Sequence, residues 1–334
     1  GVSKDVRVGF IADRSFDMVA AMLGILLAGG VYVPIDITQS PEMLAFKIRD
    51  SKLKFLIAGE SELFENNVLT ELQHVSILRV SKKDEPIQGN ILLKTKSILS
   101  SLTKNAYIYL LYTSGSTGLP KSICLGNELL FNLIRWQIQS PLNTKEKCIC
   151  LQYTPTAFDV SFQELFFTLA VGGELILIGE DERKDMHCLY DHISKYKVTH
   201  LFIPPVTLLF LTSHCVEYNY FPSSLKHIVC AGEALKITDD VKLFFTKLPG
   251  CSLHNHYGPA ETHVVTAYTM HNDSTKWPSI PPIGKPISNL RIQLLDKNKQ
   301  QVPIGTPGFL HISSDLISPA YNDHKRSSDR FEKM

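Results

Sequence analysis

Residues 106–121 read AYIYLLYTSGSTGLPK. The first part, Ala106 to Tyr112, is apolar and aromatic, which predicts a buried β-strand. It runs directly into a loop of hydroxyls and glycines that closes on Lys121. Glycines let a backbone approach an anion and turn its N–H groups inward. Thr113, Ser114, Ser116 and Thr117 add hydroxyl donors, and Lys121 adds a full positive charge. In physical terms this is a phosphate-binding arrangement. It is not a Walker A loop: Gly115 and Gly118 stand too close together, and Pro120 precedes the lysine. A flexible surface turn is the alternative, and so many hydroxyls clustered around two glycines argue against it.

Outward from this loop the pattern is α/β. Val6 to Ala12 reads as a short strand, Ser15 as the N-cap of a helix carrying Met18, Val19, Met22, Leu23 and Leu26, and Gly29-Gly30 as its stop. Val31 to Asp36 is the next strand, so this stretch is a βαβ unit with a parallel pair. Further strands are expected at 54–58, 76–80, 148–152, 174–178, 200–203 and 225–230, with helices at 127–139, 161–170 and 189–196. From about Ile280 short β-like runs alternate with Pro/Gly turns, which predicts a β-rich subdomain over 280–334 after α/β subdomains over 1–279.

Composition narrows the class. The 334 residues carry a formal net charge of +1, with 44% hydrophobic and 20% charged residues. This balance gives no reason to expect a nucleic-acid or membrane partner. No apolar run is long enough to cross a bilayer, since Met18 to Val33 is broken by Gly24, Gly29 and Gly30. The absence of a signal peptide and the odd count of seven cysteines, several in apolar runs, lead us to expect buried free thiols and a cytoplasmic protein. Cys148-Ile149-Cys150 alternates as a strand does, with no second pair at metal-ligand spacing.

With these residues in view, YTSGSTGLPK resembles the signature loop of the adenylate-forming enzymes: acyl-CoA synthetases, luciferases and the adenylation domains of nonribosomal peptide synthetases. Asn255-His256-Tyr257-Gly258-Pro259-Ala260-Glu261-Thr262 resembles their second signature, and Gly232-Glu233-Ala234 the segment lining the adenine. Residues 29–36, GGVYVPID, resemble an early motif of the amino-acid-activating branch. The fold this resemblance implies is α/β: two stacked, mostly parallel βαβ sheets flanked by helices, with a smaller C-terminal β-rich subdomain.

The implied reaction joins a carboxylate to ATP, releasing pyrophosphate, so catalysis is mostly positioning and electrostatics. The resemblance implies that Thr113 to Thr117, Gly118 and Lys121 cradle the β- and γ-phosphates. Glu261 would help hold Mg²⁺, which favours carboxylate and phosphate oxygens. Thr262 would hydrogen-bond the α-phosphate, Tyr257 would stack on adenine beside Gly258, and Asn255 with Gly232, Glu233 and Ala234 would meet the adenine edge.

In the segment Phe158-Asp159-Val160-Ser161-Phe162-Gln163-Glu164, amino-acid-activating members pair the aspartate with the substrate ammonium. A buried carboxylate needs a partner, and a substrate cation provides one. Asp159 also suits a helix N-cap, and the two roles can coexist. The resemblance aligns the rest of the pocket as Val160, Gln163, Phe202, Val229, Ala231, His256, Val264 and Val265. That wall is mostly apolar, with Gln163 and His256 as polar exceptions, and points to a small or medium apolar amino acid. The combination also resembles that of proline-activating domains, so L-proline is the expected substrate, with pipecolate-like or other small apolar amino acids behind it.

The acyl group would pass to the phosphopantetheine thiol of a carrier protein. The family continues beyond such a stretch with a ribose-binding aspartate, a hinge and a small domain carrying a further lysine. We therefore expect residues 1–334 to be the large N-terminal part of a longer enzyme, binding its substrates weakly and adenylating poorly alone. Three departures stand out: Gly308-Phe309-Leu310 for the usual Gly-Glu-Leu, SSDLISPAY without the following glycines, and Ser122 where glycine is common. The rival readings are an acyl- or aryl-CoA synthetase and an inactive nucleotide-binding module.

Overall fold

The computed structural model describes residues 1–11, 14–36, 39–59, 66–80, 107–113, 120–144 and 146–316. They fold into two compact units, one built on Gly1–Glu128 with Thr156–Phe158, the other on Leu129–Pro155 with 159 onward.

The first unit opens with the expected βαβ. Strand β1 (Arg7–Ile11), helix α1 (Phe16–Leu27) and strand β2 (Val31–Pro34) follow one another, and β1 and β2 pair in parallel. Ser15 caps α1 by accepting from Met18 N, and Met18, Met22 and Ile25 form its buried stripe. Next come α2 (Pro41–Ser51), β3 (Phe55–Gly59), α3 (Asn66–Leu72), β4 (Ser76–Val80), β5 (Tyr107–Thr113) and β6 (Lys121–Gly126). The sheet order is β4-β3-β1-β2-β5-β6, parallel except for the antiparallel pair β5–β6. Helix α2 escaped the sequence reading. Its start signal is present, with Ser40 accepting from Met43 N and Pro41 in the first turn, and Lys52 closes it in the left-handed region. Ile11, Val31, Val33, Leu44, Ile48 and Leu56 are among the core of this unit.

The second unit holds α4 (Asn127–Gln139), β7 (Ile149–Gln152), α5 (Val160–Ala170), β8 (Glu174–Leu177), α6 (Met186–Lys195), β9 (His200–Ile203), α7 (Pro205–Glu217) and β10 (His227–Cys230). It continues with α8 (Asp239–Lys247), β11 (Ser252–Tyr257), β12 (Thr266–Thr269), β13 (Lys285–Pro286), β14 (Arg291–Leu295) and β15 (Phe309–Ser313). Its main sheet runs β13-β12-β11-β10-β9-β7-β8, parallel from β11 to β8, with β12 and β13 antiparallel at one edge. Strands β14 and β15 form a separate antiparallel ribbon, the β-like character expected beyond Ile280. The fold class is therefore mixed α/β with two parallel-dominant sheets and a small antiparallel one.

Side chains alternate across a strand, and residues paired across strands share a face. Leu201, Ile203, Ile228, Cys230 and Leu253 fill the main apolar core on one face of the second sheet. Each such fully buried aliphatic side chain contributes about 1.5–3 kcal/mol. All seven cysteines are free thiols, and all but Cys188 are buried. No helix among the described residues is long and apolar enough to cross a membrane.

Candidate active site

In an open parallel sheet, ligands sit beyond the carboxyl ends of strands where the strand order reverses. In the second unit, β7 is followed by β8 on one side and, after α6, by β9 on the other. The reversal therefore falls between β7 and β9. Asp159 follows β7, Gly232–Ala234 follow β10, and Gly258–Val265 follow β11. Every expected site segment of this unit thus leaves the carboxyl end of a parallel strand.

Phe202 pairs with Val229, and Val229 with His254, so these share a face with His256 two residues on. This face is opposite the main core. Phe202 and Val229 are buried there, Val264 and Val265 are buried in the turn after β11, Val160 and Ala231 are half-buried, and Gly232, Glu233 and Ala234 are exposed. Gly232 has φ +92, a left-handed conformation suited to glycine. The two polar pocket residues meet: Gln163 Nε2 lies 3.1 Å from His256 Nδ1, both fully buried. Burial pushes His256 down to about 3, helped by His263, so the ring is neutral and its Nδ1 accepts from the amide.

His256 ends a row of buried histidines on this face. Ring centroids are 4.8 Å apart for His200–His227, 5.3 Å for His227–His254 and 6.4 Å for His254–His256. His200 Nε2 donates to Leu142 O at 2.7 Å, His227 Nδ1 and His254 Nε2 lie at 3.1 Å, and His254 Nδ1 and Thr269 Oγ1 at 2.9 Å. Burial lowers all of them, His227 to about 4.

Asp159 occupies the cap position of α5, as the sequence allowed, but its side chain makes no capping hydrogen bond. Its backbone carbonyl accepts from Phe162 N at 2.9 Å and lies 3.0 Å from His263 Nε2. His263 Nδ1 lies 3.8 Å from Asp159 Oδ2. Sequence reading missed His263, which stands one residue past the second signature. It missed Glu164 as well. That carboxylate is fully buried and accepts from Tyr153 N (3.1 Å), Thr154 N (2.9 Å), Thr154 Oγ1 (2.9 Å) and Gln152 Nε2 (3.0 Å). It fastens α5 to the segment leaving β7, and so fixes the entry to Asp159. The signal was an acid between the apolar Phe162 and Leu165 on a short helix.

Asn255 and Tyr257 face away from His256 by strand alternation. Asn255 Nδ2 donates to Pro282 O at 3.0 Å, and Tyr257 is 37% exposed. Thr262 is buried, with its hydroxyl 3.2 Å from the carbonyls of Pro259 and His263. Glu261 is half-buried.

Thr113 and Lys121 belong to the first unit. They are direct partners at the base of the β5–β6 connection. Ser114, Gly115, Ser116, Thr117 and Gly118 lie outside the described residues. Beside this base is a groove of about 410 Å³ lined by Ser40, Lys47, Tyr112, Thr113 and Pro120 among others. Lys47 is buried, and its amine lies 5.1 Å from the Tyr112 ring centre. Burial lowers its pKa, and Asp36 opposes that shift.

The AMP-binding enzyme family matches residues 1–322. Gramicidin S synthase 2 of Brevibacillus brevis is 35% identical over 341 residues, covering 99% of this chain and 7% of that protein. Tyrocidine synthase 2 of Brevibacillus parabrevis is 34% identical over 323 residues, covering 96% of this chain and 9% of that protein. Phosphinothricin tripeptide synthetase PhsB of Streptomyces viridochromogenes is 33% identical over 328 residues, covering 96% of this chain and 26% of that protein. The chain therefore spans only a small part of these relatives. Among solved structures, the N-terminal subdomain of Klebsiella oxytoca NpsA in complex with 3-hydroxybenzoyl-AMSN shares the fold, with a TM-score of 0.75 at 19% identity, over 99% of this chain and 80% of that one. Strand order and sequence kinship agree: this chain belongs to the family of AMP-binding enzymes.

Proposed function

We propose that this chain binds ATP and an amino acid, L-proline foremost, and joins them as aminoacyl-adenylate with release of pyrophosphate. The acyl group then passes to the phosphopantetheine thiol of a carrier protein. The observation that carries the amino-acid reading is Asp159: a partly exposed carboxylate, 19% accessible, that does not cap its own helix. Among the described residues His263 Nδ1 lies 3.8 Å from the carboxylate, and a substrate ammonium is a partner that suits it. The pocket we align with it adds the apolar Val160, Phe202, Val229, Ala231, Val264 and Val265, with Gln163 Nε2 and His256 Nδ1 paired with each other. That composition suits a ring such as proline's better than a charged side chain. Kinship to a protein named as a tripeptide synthetase supports the same substrate class.

In the reaction, a carboxylate oxygen of the amino acid attacks the α-phosphorus of ATP. The bond to the bridging oxygen breaks, and pyrophosphate leaves with the electron pair. Lys121, Thr113 and the loop Ser114–Gly118 meet the charge on the β- and γ-phosphates. Thr262 turns its hydroxyl from the Pro259 and His263 carbonyls to the α-phosphate. Tyr257, Asn255, Gly258 and Gly232–Ala234 hold the adenine. Glu261 is a single half-buried carboxylate, and no cluster of three or more metal-binding side chains exists among the described residues. That set fits Mg²⁺, which keeps phosphate and water oxygens and takes one or two carboxylates. When bound, the ion screens phosphate charge. We read 1–279 as the α/β part and 280–334 as the start of a β-rich subdomain, with the β14–β15 ribbon in support.

Replacing Asp159 tests the reading. Asp159→Ala is expected to lower amino-acid-dependent ATP–pyrophosphate exchange about 100-fold or more, by loss of a charge pair, while Mg-ATP binding persists. Unchanged exchange would remove Asp159 from the site.

A further inference from the structure

We infer that His263 is a positioning residue that holds Asp159 by its backbone and so aims the carboxylate at the substrate ammonium. The inference rests on the reading of Asp159 given above.

The turn after β11 is built to deliver this imidazole. His263 is 1% exposed and has φ 59, a left-handed conformation that glycine or asparagine adopts with less strain. Three features hold the turn: Val265 N donates to Tyr257 O at 2.7 Å, Thr262 N to Pro259 O at 3.0 Å, and the His263 carbonyl fills the place of a Cβ on Gly258. This constrained backbone delivers a side-chain hydrogen bond, His263 Nε2 on Asp159 O at 3.0 Å, across 104 residues of sequence. With Nε2–H donating, Nδ1 carries a lone pair in the neutral ring. At 3.8 Å from Oδ2 it neither donates to the carboxylate nor neutralises it. Burial keeps the ring neutral against the opposing pull of Asp159. Asp159 is thus fixed at its main chain from two sides, by Phe162 N and His263, while its negative charge stays available. A neighbour that orients a binding carboxylate without titrating it sharpens affinity for the cation alone.

The test uses three variants in the full-length protein: His263→Ala, His263→Gln and His263→Asn. Glutamine places its Nε2 the same number of bonds from Cα as histidine does. Asparagine suits the left-handed turn better but falls short of Asp159. The expected result in pyrophosphate exchange is a KM for the amino acid raised about 10- to 100-fold in His263→Ala and His263→Asn. The KM for ATP stays within about twofold, and His263→Gln recovers most of the loss. Inhibition by the analogue lacking the amino nitrogen (for L-proline, cyclopentanecarboxylate) should be equal in wild type and His263→Ala. Wild-type behaviour in His263→Asn, or an equal rise in both KM values, would assign His263 to the turn alone and overturn the inference. If His263→Ala fails to fold, the contrast between glutamine and asparagine decides by itself. A wild-type protein that exchanges with no amino acid would instead overturn the reading of Asp159, and this inference with it.

Discussion

A Cβ on Gly258 would lie 1.7 Å from the carbonyl oxygen of His263 and 2.9 Å from the Cα of Val264. Both are backbone, so no side chain can swing aside. Gly258→Ala must therefore push the turn away from β11, at a cost of about 3 kcal/mol by analogy with overpacked cores. It should also carry His263 off Asp159. The expected outcome is a lower urea midpoint together with a raised KM for the amino acid; a variant with wild-type values of both would contradict the close approach. The glycine itself was legible in Asn255–Thr262 as part of a motif. Its reason was not, because that reason is an oxygen five residues ahead, brought back by a left-handed His263 that no pattern of apolar residues announces. Asp159 was legible as either a cap or an ammonium partner, and the structure gives it the cap position without the capping bond.

Strands β9, β10 and β11 each present one face to the apolar core and the other to a row of histidines. The apolar runs made β9 and β10 readable, and alternation assigned the core face. Nothing local in the sequence shows that His200, His227, His254 and His256 line up, because register across three strands creates the row. Helices α2, α3, α7 and α8 were missed for a related reason: tertiary context, more than a clear period, fixes them. The row has a consequence for acid stability. Burial lowers these groups below the ordinary 6.5, His227 to about 4 and His256 to about 3. The folded state keeps them neutral while the unfolded chain takes up protons. Stability is therefore full above about pH 6.5 and falls as the pH drops towards 4, with a slope of up to about 1.4 kcal/mol per pH unit for each such histidine. Urea midpoints measured across that window should show the fall, and His227→Gln should flatten it by one proton. A flat profile in the wild type would contradict the buried neutral row.

At the scale of the whole molecule, the parallel sheets were legible because each βαβ step is local: strand, cap, amphipathic helix, glycine stop, strand. Strand β5 was legible for the same reason, and its antiparallel pairing with β6 sets Thr113 beside Lys121. The residues proposed for the site are far apart in sequence: Thr113 and Lys121 belong to the first unit and Asp159 through Val265 to the second, so motif order along the chain carried the sequence reading. The most direct measurement is amino-acid-dependent ATP–pyrophosphate exchange by the full-length protein, across the standard amino acids and pipecolate. The account predicts a dominant signal with L-proline. A dominant signal with a different amino acid would keep the reaction and overturn the pocket reading, and exchange with an acyl or aryl acid but no amino acid would contradict the account at its centre.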